Sequence, residues 1–244
     1  MRSILIINPN STEQMTNGLK PLVDALQFKD LEKQQTAHEY FTAPSGPKSI
    51  NNEDDAADSV QHCLPALRKD LLDRHDAFLV ACYSQHPLVP LLKQEAAVKN
   101  TRKPVTGIFE ASVAASLQAI HPDEKFGIVS TGKVWESILT DATTAFLGTG
   151  TEANKRFAGV ETTGLNATDL HDAPAEEVRK RMKDAVKRLL KKGGVGAVCL
   201  GCAGMAGMDE MVREACVEEL GESEGGRVRI VDGVMAGLRG WRGC

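Results

Sequence analysis

The stretch Val195-Gly196-Ala197-Val198-Cys199-Leu200-Gly201-Cys202-Ala203-Gly204 decides how this chain folds. Six apolar or small residues run straight into a glycine–cysteine turn. A long amphipathic helical pattern rich in Lys and Arg precedes the run over 174–192, and another helical pattern follows over 208–220. A short, wholly apolar run between helices predicts a strand buried on both faces. Ala77-Phe78-Leu79-Val80-Ala81-Cys82 has the same character. It too ends on a cysteine, between helical patterns at 51–73 and 88–99. Cys82 and Cys202 stand about half of the 244-residue chain apart.

Outward from these runs the alternation continues. Strands are expected at 3–7, 38–42, 105–108, 125–130 and 228–231, and helices at 13–25, 110–119, 133–146 and 233–239. Asn10-Ser11-Thr12 offers a cap for the first helix, and Pro21 is expected to break or kink it. Apolar strands alternating with helices predict an α/β fold with mostly parallel sheets covered on both faces. Two similar lobes facing each other would set one cysteine on each side of a cleft. The lobe boundaries expected are 1–105 plus 220–244 for the first and 106–219 for the second. Ligands on such sheets bind beyond the carboxyl ends of the strands. That rule selects Asn8 to Ser11, Ser45 to Pro47, Cys82 to Ser84, Thr131-Gly132, and Cys202 to Gly204.

Composition narrows the function. Hydrophobic residues make up 42% and charged residues 25%, and the formal net charge is −4. Such a chain has no excess of basic residues with which to bind nucleic acid. No run reaches the 18 or more apolar residues of a membrane span. The opening apolar run stops at Asn8-Pro9, too soon for a signal-peptide core, so a cytoplasmic protein is expected. Its six cysteines are then expected as reduced thiols.

A strand that ends on cysteine is often simple packing, because free Cys behaves as a small hydrophobe. Here both cysteines sit at the end of a β-run and before a helix. Backbone N–H groups and a helix N-terminus would lower the thiol pKa. Gly201 and Gly204 flank Cys202 and would permit close approach of a ligand. Two opposed thiols suit inversion of a carbon beside a carbonyl. One thiolate removes a proton, the other thiol delivers one to the opposite face, and the carbanion is held by nearby N–H and hydroxyl donors. Cys199 reads as core, Cys63 and Cys216 as structural, and Cys244 as the exposed last residue. Cys199-Leu-Gly-Cys202 lacks the context of a redox C-x-x-C motif.

Five blocks carry a resemblance. Ile7-Asn8-Pro9-Asn10-Ser11-Thr12, Ser45-Gly46-Pro47-Lys48-Ser49-Ile50, Ala81-Cys82, Gly107-Ile108-Phe109-Glu110-Ala111 and Leu200-Gly201-Cys202-Ala203-Gly204-Met205 occur in the order found in hydantoin and allantoin racemases. Those enzymes form a branch of the aspartate/glutamate racemase superfamily. The resemblance implies two pseudo-symmetric α/β lobes, catalytic Cys82 and Cys202, no metal and no other cofactor, and a homo-oligomer. With the strand-end rule it yields Asn10, Ser45, Gly46, Pro47, Tyr83, Ser84, Thr131, Gly132, Gly201 and Ala203 as candidate substrate-binding residues. After the first cysteine the chain departs from the common pattern, reading Tyr83-Ser84-Gln85-His86-Pro87. In this it resembles fungal members linked to allantoin and nitrogen catabolism.

His86 either tunes the Cys82 thiol or touches substrate, or is a surface or capping histidine before Pro87. Glu110 is either a site acid or, the favoured reading, a solvated residue at a helix start, and the basic run 179–192 is expected as a solvated helix face. No histidine has metal-ligand spacing. The leading expectation is a cofactor-independent racemase or epimerase of a hydantoin or allantoin-type ureide. The alternatives are an amino-acid racemase, a diacid isomerase or a decarboxylase on the same scaffold, or a binding protein without turnover. A decarboxylase would need only one of the two thiols.

Overall fold

The first half of the chain forms β1 (Arg2–Asn8), α1 (Glu13–Ala25), β2 (Thr36–Thr42), α2 (Glu53–Leu67), α3 (Leu71–Arg74), β3 (Ala77–Val80), α4 (Leu88–Gln94), α5 (Ala96–Lys99), β4 (Val105–Gly107) and α6 (Ile108–Ala119). The second half forms β5 (Lys125–Ser130), α7 (Trp135–Leu147), β6 (Phe157–Thr162), α8 (Asp169–Asp172), α9 (Ala175–Leu190), β7 (Val195–Leu200), a 3₁₀ turn (Ala203–Met205), α10 (Asp209–Gly225), β8 (Arg229–Asp232) and α11 (Gly233–Gly240). This computed structural model describes residues 2–26, 36–148 and 155–241. Cys244 lies outside them.

There are two four-stranded parallel sheets, ordered β2-β1-β3-β4 and β6-β5-β7-β8. The same winding occurs twice, so β3 and β7 hold equivalent places. The pleat sends alternate side chains to opposite faces of each sheet. Ile4, Ile6 and Leu79 from one sheet and Phe126, Ile128, Ala197 and Cys199 from the other share a central core. Leu5, Ile7, Phe78 and Val80 turn outward, beneath Val60, Leu64 and Leu67 of α2 and Leu88 and Leu92 of α4. Val129, Val198 and Leu200 turn outward beneath α9 and α10. Each central strand is therefore apolar on both faces, which explains why its sequence shows no alternation.

Several expected elements differ in detail. Pro21 stays inside an unbroken α1, whose buried stripe Thr16, Leu19 and Val23 holds the helix on the sheet. The helix expected over 51–73 divides into α2 and α3, and that over 88–99 into α4 and α5, where Glu95 is extended. The helix expected over 208–220 runs on to Gly225 past a non-helical Gly221. β6, an edge strand half exposed along its length, was not among the expected strands. The elements after residue 220 have two sets of neighbours. β8 pairs with β7 in the second sheet, whereas α11 packs on α6, α1 and β3.

The basic run 179–192 faces acidic partners rather than water alone. Arg179 pairs with Glu214 at 2.7 Å, Lys187 with Glu218 at 2.7 Å, and Lys192 with Glu161 at 2.8 Å. These exposed pairs contribute little stability each, but they leave the stripe poorly suited to bind phosphates. No helix among the described residues is long and apolar enough to cross a membrane.

Candidate active site

Matched turns end the two equivalent strands. The Ala81 N–H donates to Ile7 O at 2.8 Å, tying the end of β3 to β1. The Gly201 N–H donates to Val129 O at 2.7 Å, tying the end of β7 to β5. The cysteine follows directly in both cases. Ser130 Oγ adds a second tie, donating to Gly201 O at 2.7 Å. Each thiol is therefore fixed by a central strand rather than by a mobile loop.

The two thiols reach the same cavity. Its wall is formed by Asn8, Asn10, Met15 and Leu19 from the β1–α1 side, by Ser49 and Ile50 from the β2–α2 loop, by Ala81-Cys82-Tyr83 after β3, and by Thr131, Trp135, Ala167 and Gly201-Cys202-Ala203-Gly204 from the second half. The cavity is small, about 40 Å³. Of the twelve residues anticipated at the site, Cys82, Cys202, Asn10, Tyr83, Thr131, Gly201 and Ala203 line it. Ser84 lies just behind, its Oγ 3.5 Å from Cys82 Sγ. Gly132 does not line the cavity.

Ser45, Gly46 and Pro47 are likewise outside the wall. Their loop supports it instead. Ser11 N–H donates to Pro47 O at 2.9 Å and Ser11 Oγ to Gly46 O at 3.0 Å, which holds the Asn10 turn from behind. Ser45 Oγ is engaged with His62 Nδ1 at 2.8 Å. Gly46 has φ +95, and an added Cβ would lie 2.5 Å from the His62 ring, so the turn requires glycine.

An amide network shapes the polar end. Asn8 Nδ2 donates to Asn10 Oδ1 at 3.0 Å and to Thr16 Oγ1 at 2.9 Å, while Asn10 Oδ1 also accepts from Thr12 N–H at 3.0 Å. The contact of Asn10 Nδ2 with Met15 Sδ at 3.2 Å is to a weak acceptor. That amide remains a strong donor at the cavity wall. Tyr83 contributes its ring only. Its hydroxyl is 2.7 Å from Ser112 Oγ, and the ring packs edge-on against Phe109.

The electrostatics reverse one expectation. Helix termini and N–H groups do not lower the thiol pKa values overall. Burial pushes Cys82 up to about 12; its contact with Ser84 opposes this, and negative charge from Cys202 and Glu110 adds to it. Burial pushes Cys202 to about 11, opposed by the N–H groups of Gly204 and Met205. Each thiol is largely enclosed by protein, so desolvation of a thiolate outweighs the local donors. Moreover, α4 begins six residues after Cys82, too far for its N-terminus to help. The two thiols are unequal: Cys202 Sγ accepts from Gly204 N–H at 3.4 Å, whereas Cys82 has a hydroxyl for a partner.

Of two neighbours, Glu110 departs from its expected solvation, and His86 takes its capping alternative, although buried rather than at the surface. Glu110 is not solvated; its Oε2 is buried without a hydrogen-bond partner, and burial raises its pKa. His86 is fully buried. Its Nδ1 accepts from Leu88 N–H at 3.2 Å, so Nε2 carries the proton toward Ser59 Oγ at 3.2 Å. It therefore caps the start of α4 and does not reach the thiol. Burial holds its pKa down at about 4. The unfolded chain, near the ordinary 6.5, takes up a proton first as the pH falls. Stability should be insensitive to this group above pH 6.5 and should decline towards pH 4 by up to roughly 3 kcal/mol. Urea unfolding at pH 7 and 4.5 checks this, and His86→Gln should flatten the difference.

Sequence reasoning missed Met15, Leu19, Trp135 and Ala167. They are apolar and stand inside helical or loop segments, where nothing separates a cavity wall from ordinary core. Asn8 carried a signal in Asn8-Pro9-Asn10, where two amides stand at a strand end. No group of three or more His, Cys, Asp or Glu able to hold a metal occurs among the described residues.

Fold and site together define a two-lobed parallel α/β protein with two cysteines on the wall of one cavity. Comparison with known proteins agrees. An uncharacterised protein of Schizosaccharomyces pombe is 36% identical over 98% of this chain and 90% of its own length. A hydantoin racemase of a Pseudomonas species is 28% identical over 97% of this chain and 83% of its own. The solved allantoin racemase from Klebsiella pneumoniae superposes with a TM-score of 0.75 at 23% identity, over 98% of this chain and 85% of that one, and so shares the fold. The pattern of the Asp/Glu/Hydantoin racemases matches residues 4–240, and the chain belongs to that family. It is an isomerase of the racemase type.

Proposed function

We propose that this protein racemises a five-membered hydantoin or allantoin-type ureide at C5 by transferring a proton between Cys82 and Cys202. One observation carries the proposal: two sulfurs far apart in the chain line one small cavity. The C5–H bond of such a ring lies beside a carbonyl. Its proton passes to a thiolate, and the electron pair moves into the carbonyl as an enolate. The opposite thiol then protonates C5 from the other face and becomes the thiolate. No net electron change occurs, and the reverse reaction exchanges the two roles. Asn10 Nδ2, whose one partner is the weak acceptor Met15 Sδ, is the donor available to the enolate oxygen at the cavity wall.

The surroundings distinguish the thiols in the resting protein. Cys202, with an N–H donor on sulfur, is the one to carry the thiolate. Cys82, facing the charge of Glu110, is the one to stay protonated. The base must lose its proton, and its pKa is raised, so kcat/KM should climb from pH 7 towards pH 10 rather than peak near neutrality. The test is incubation of single enantiomers of allantoin and of 5-substituted hydantoins in D2O. Loss of optical activity with one deuterium gained at C5 is expected. Thermal stabilisation by these compounds with no isotope exchange would instead identify a binding protein.

A further inference from the structure

A second, larger space adjoins the thiol cavity. Its volume is about 650 Å³, and it runs between the start of α2, the turn after Cys82, and α7. The Trp135 indole, itself buried, forms part of both walls. Ser84, 3.5 Å from the Cys82 thiol, lines the larger space. Ile50 borders the inner cavity and Asn52 the outer one. A ring held between the two sulfurs therefore has a roomier space on the far side of the Trp135 side chain.

The chemistry of that neighbour is one-sided. Its polar lining is Asn52, Glu53, Ser84, Gln85, Ser137 and Asp141, with no Lys, Arg or His among them. Two carboxylates and several hydrogen-bond acceptors face a space with no cation to balance them. A substituent rich in N–H donors, such as a ureido or amide group, or a cationic one, is favoured there. A carboxylate is repelled.

We propose that this outer chamber is the substituent subsite of the racemase, that it selects neutral N–H-bearing or cationic C5 substituents, and that Glu53 and Asp141 set its selection against carboxylates. The inference rests on the C5-racemase reading above. Hydantoin-5-acetamide and hydantoin-5-acetic acid are near-isosteric probes that differ in charge at pH 8. Dissociation constants and kcat/KM for both are measured with the wild-type protein and with Glu53→Gln/Asp141→Asn. The acetamide should be favoured about fivefold at low salt, a size set by two exposed charges several ångströms away. The preference should fall to near unity in the double variant and in wild type at 1 M salt. Binding separates the two claims. If the dissociation constants show this pattern but neither probe gains deuterium at C5, the chamber stands and the racemase reading falls. Equal binding of the two probes by wild type, a preference untouched by the double substitution, or no binding of either probe overturns the chamber.

Discussion

Serine in place of Cys82 or Cys202 is expected to lower racemisation by roughly 10²- to 10⁴-fold, the usual contribution of a positioned acid or base. The hydroxyl is nearly the size of the thiol, so folding should persist, and an unchanged urea midpoint checks that. The two variants should nevertheless differ in isotope exchange. Cys82→Ser keeps the thiol that accepts from Gly204 N–H. It can take a proton from one enantiomer and return deuterium to the same face, giving exchange without inversion for that enantiomer alone. Cys202→Ser leaves only Cys82, whose ionisation burial and the charge of Glu110 still oppose and which has no N–H donor on sulfur, so both exchange and inversion should fall. Chiral chromatography with mass detection reads both quantities. If both variants exchange at the wild-type rate, the two thiols are not the acid and base.

Gly201→Ala is the second large effect. A Cβ at this position would lie 2.7 Å from Val129 O, 2.8 Å from Ile128 Cγ2 and 3.0 Å from Ser130 Cβ. Two of these contacts are to strand backbone or to the Cβ beside it, and cannot rotate away. β7 must then move off β5 at the point where the Gly201 N–H and Ser130 Oγ tie the strands together. Such overpacking costs about 1–3 kcal/mol. Cys202 is the next residue, so its sulfur moves with the strand. A shift near 1 Å in a reacting group can cost about a hundredfold in rate. The expected result is a lower urea midpoint together with a rate loss that persists in the folded fraction. A stable Gly201→Ala protein with full activity would show that the strand end does not position the thiol.

Much of this was legible in the chain itself because it depends on local pattern. Apolar runs at 77–82 and 195–200 gave the central strands, since a strand covered on both faces has nowhere to place a polar residue. β6 escaped notice because an edge strand with Glu161 facing Arg188 has no such constraint. The Ser45-Gly46-Pro47 loop was identified as important, but its position was not. A loop that contacts substrate and one that braces the loop that does carry the same turn residues.

Winding of the strands, the placement of both cysteines at strand ends and the family blocks were decided by the order of residues alone, through periodicity and turn chemistry that act over a few neighbours. Tertiary structure decided the rest: that the two cysteines line one cavity, that His86 and the Glu110 Oε2 atom are enclosed rather than wet, and that the thiols are harder, not easier, to ionise. Those outcomes depend on how much water is excluded from a point by segments distant in the chain, and dehydration of a charge is a property of the packed volume around it rather than of its neighbours along the chain.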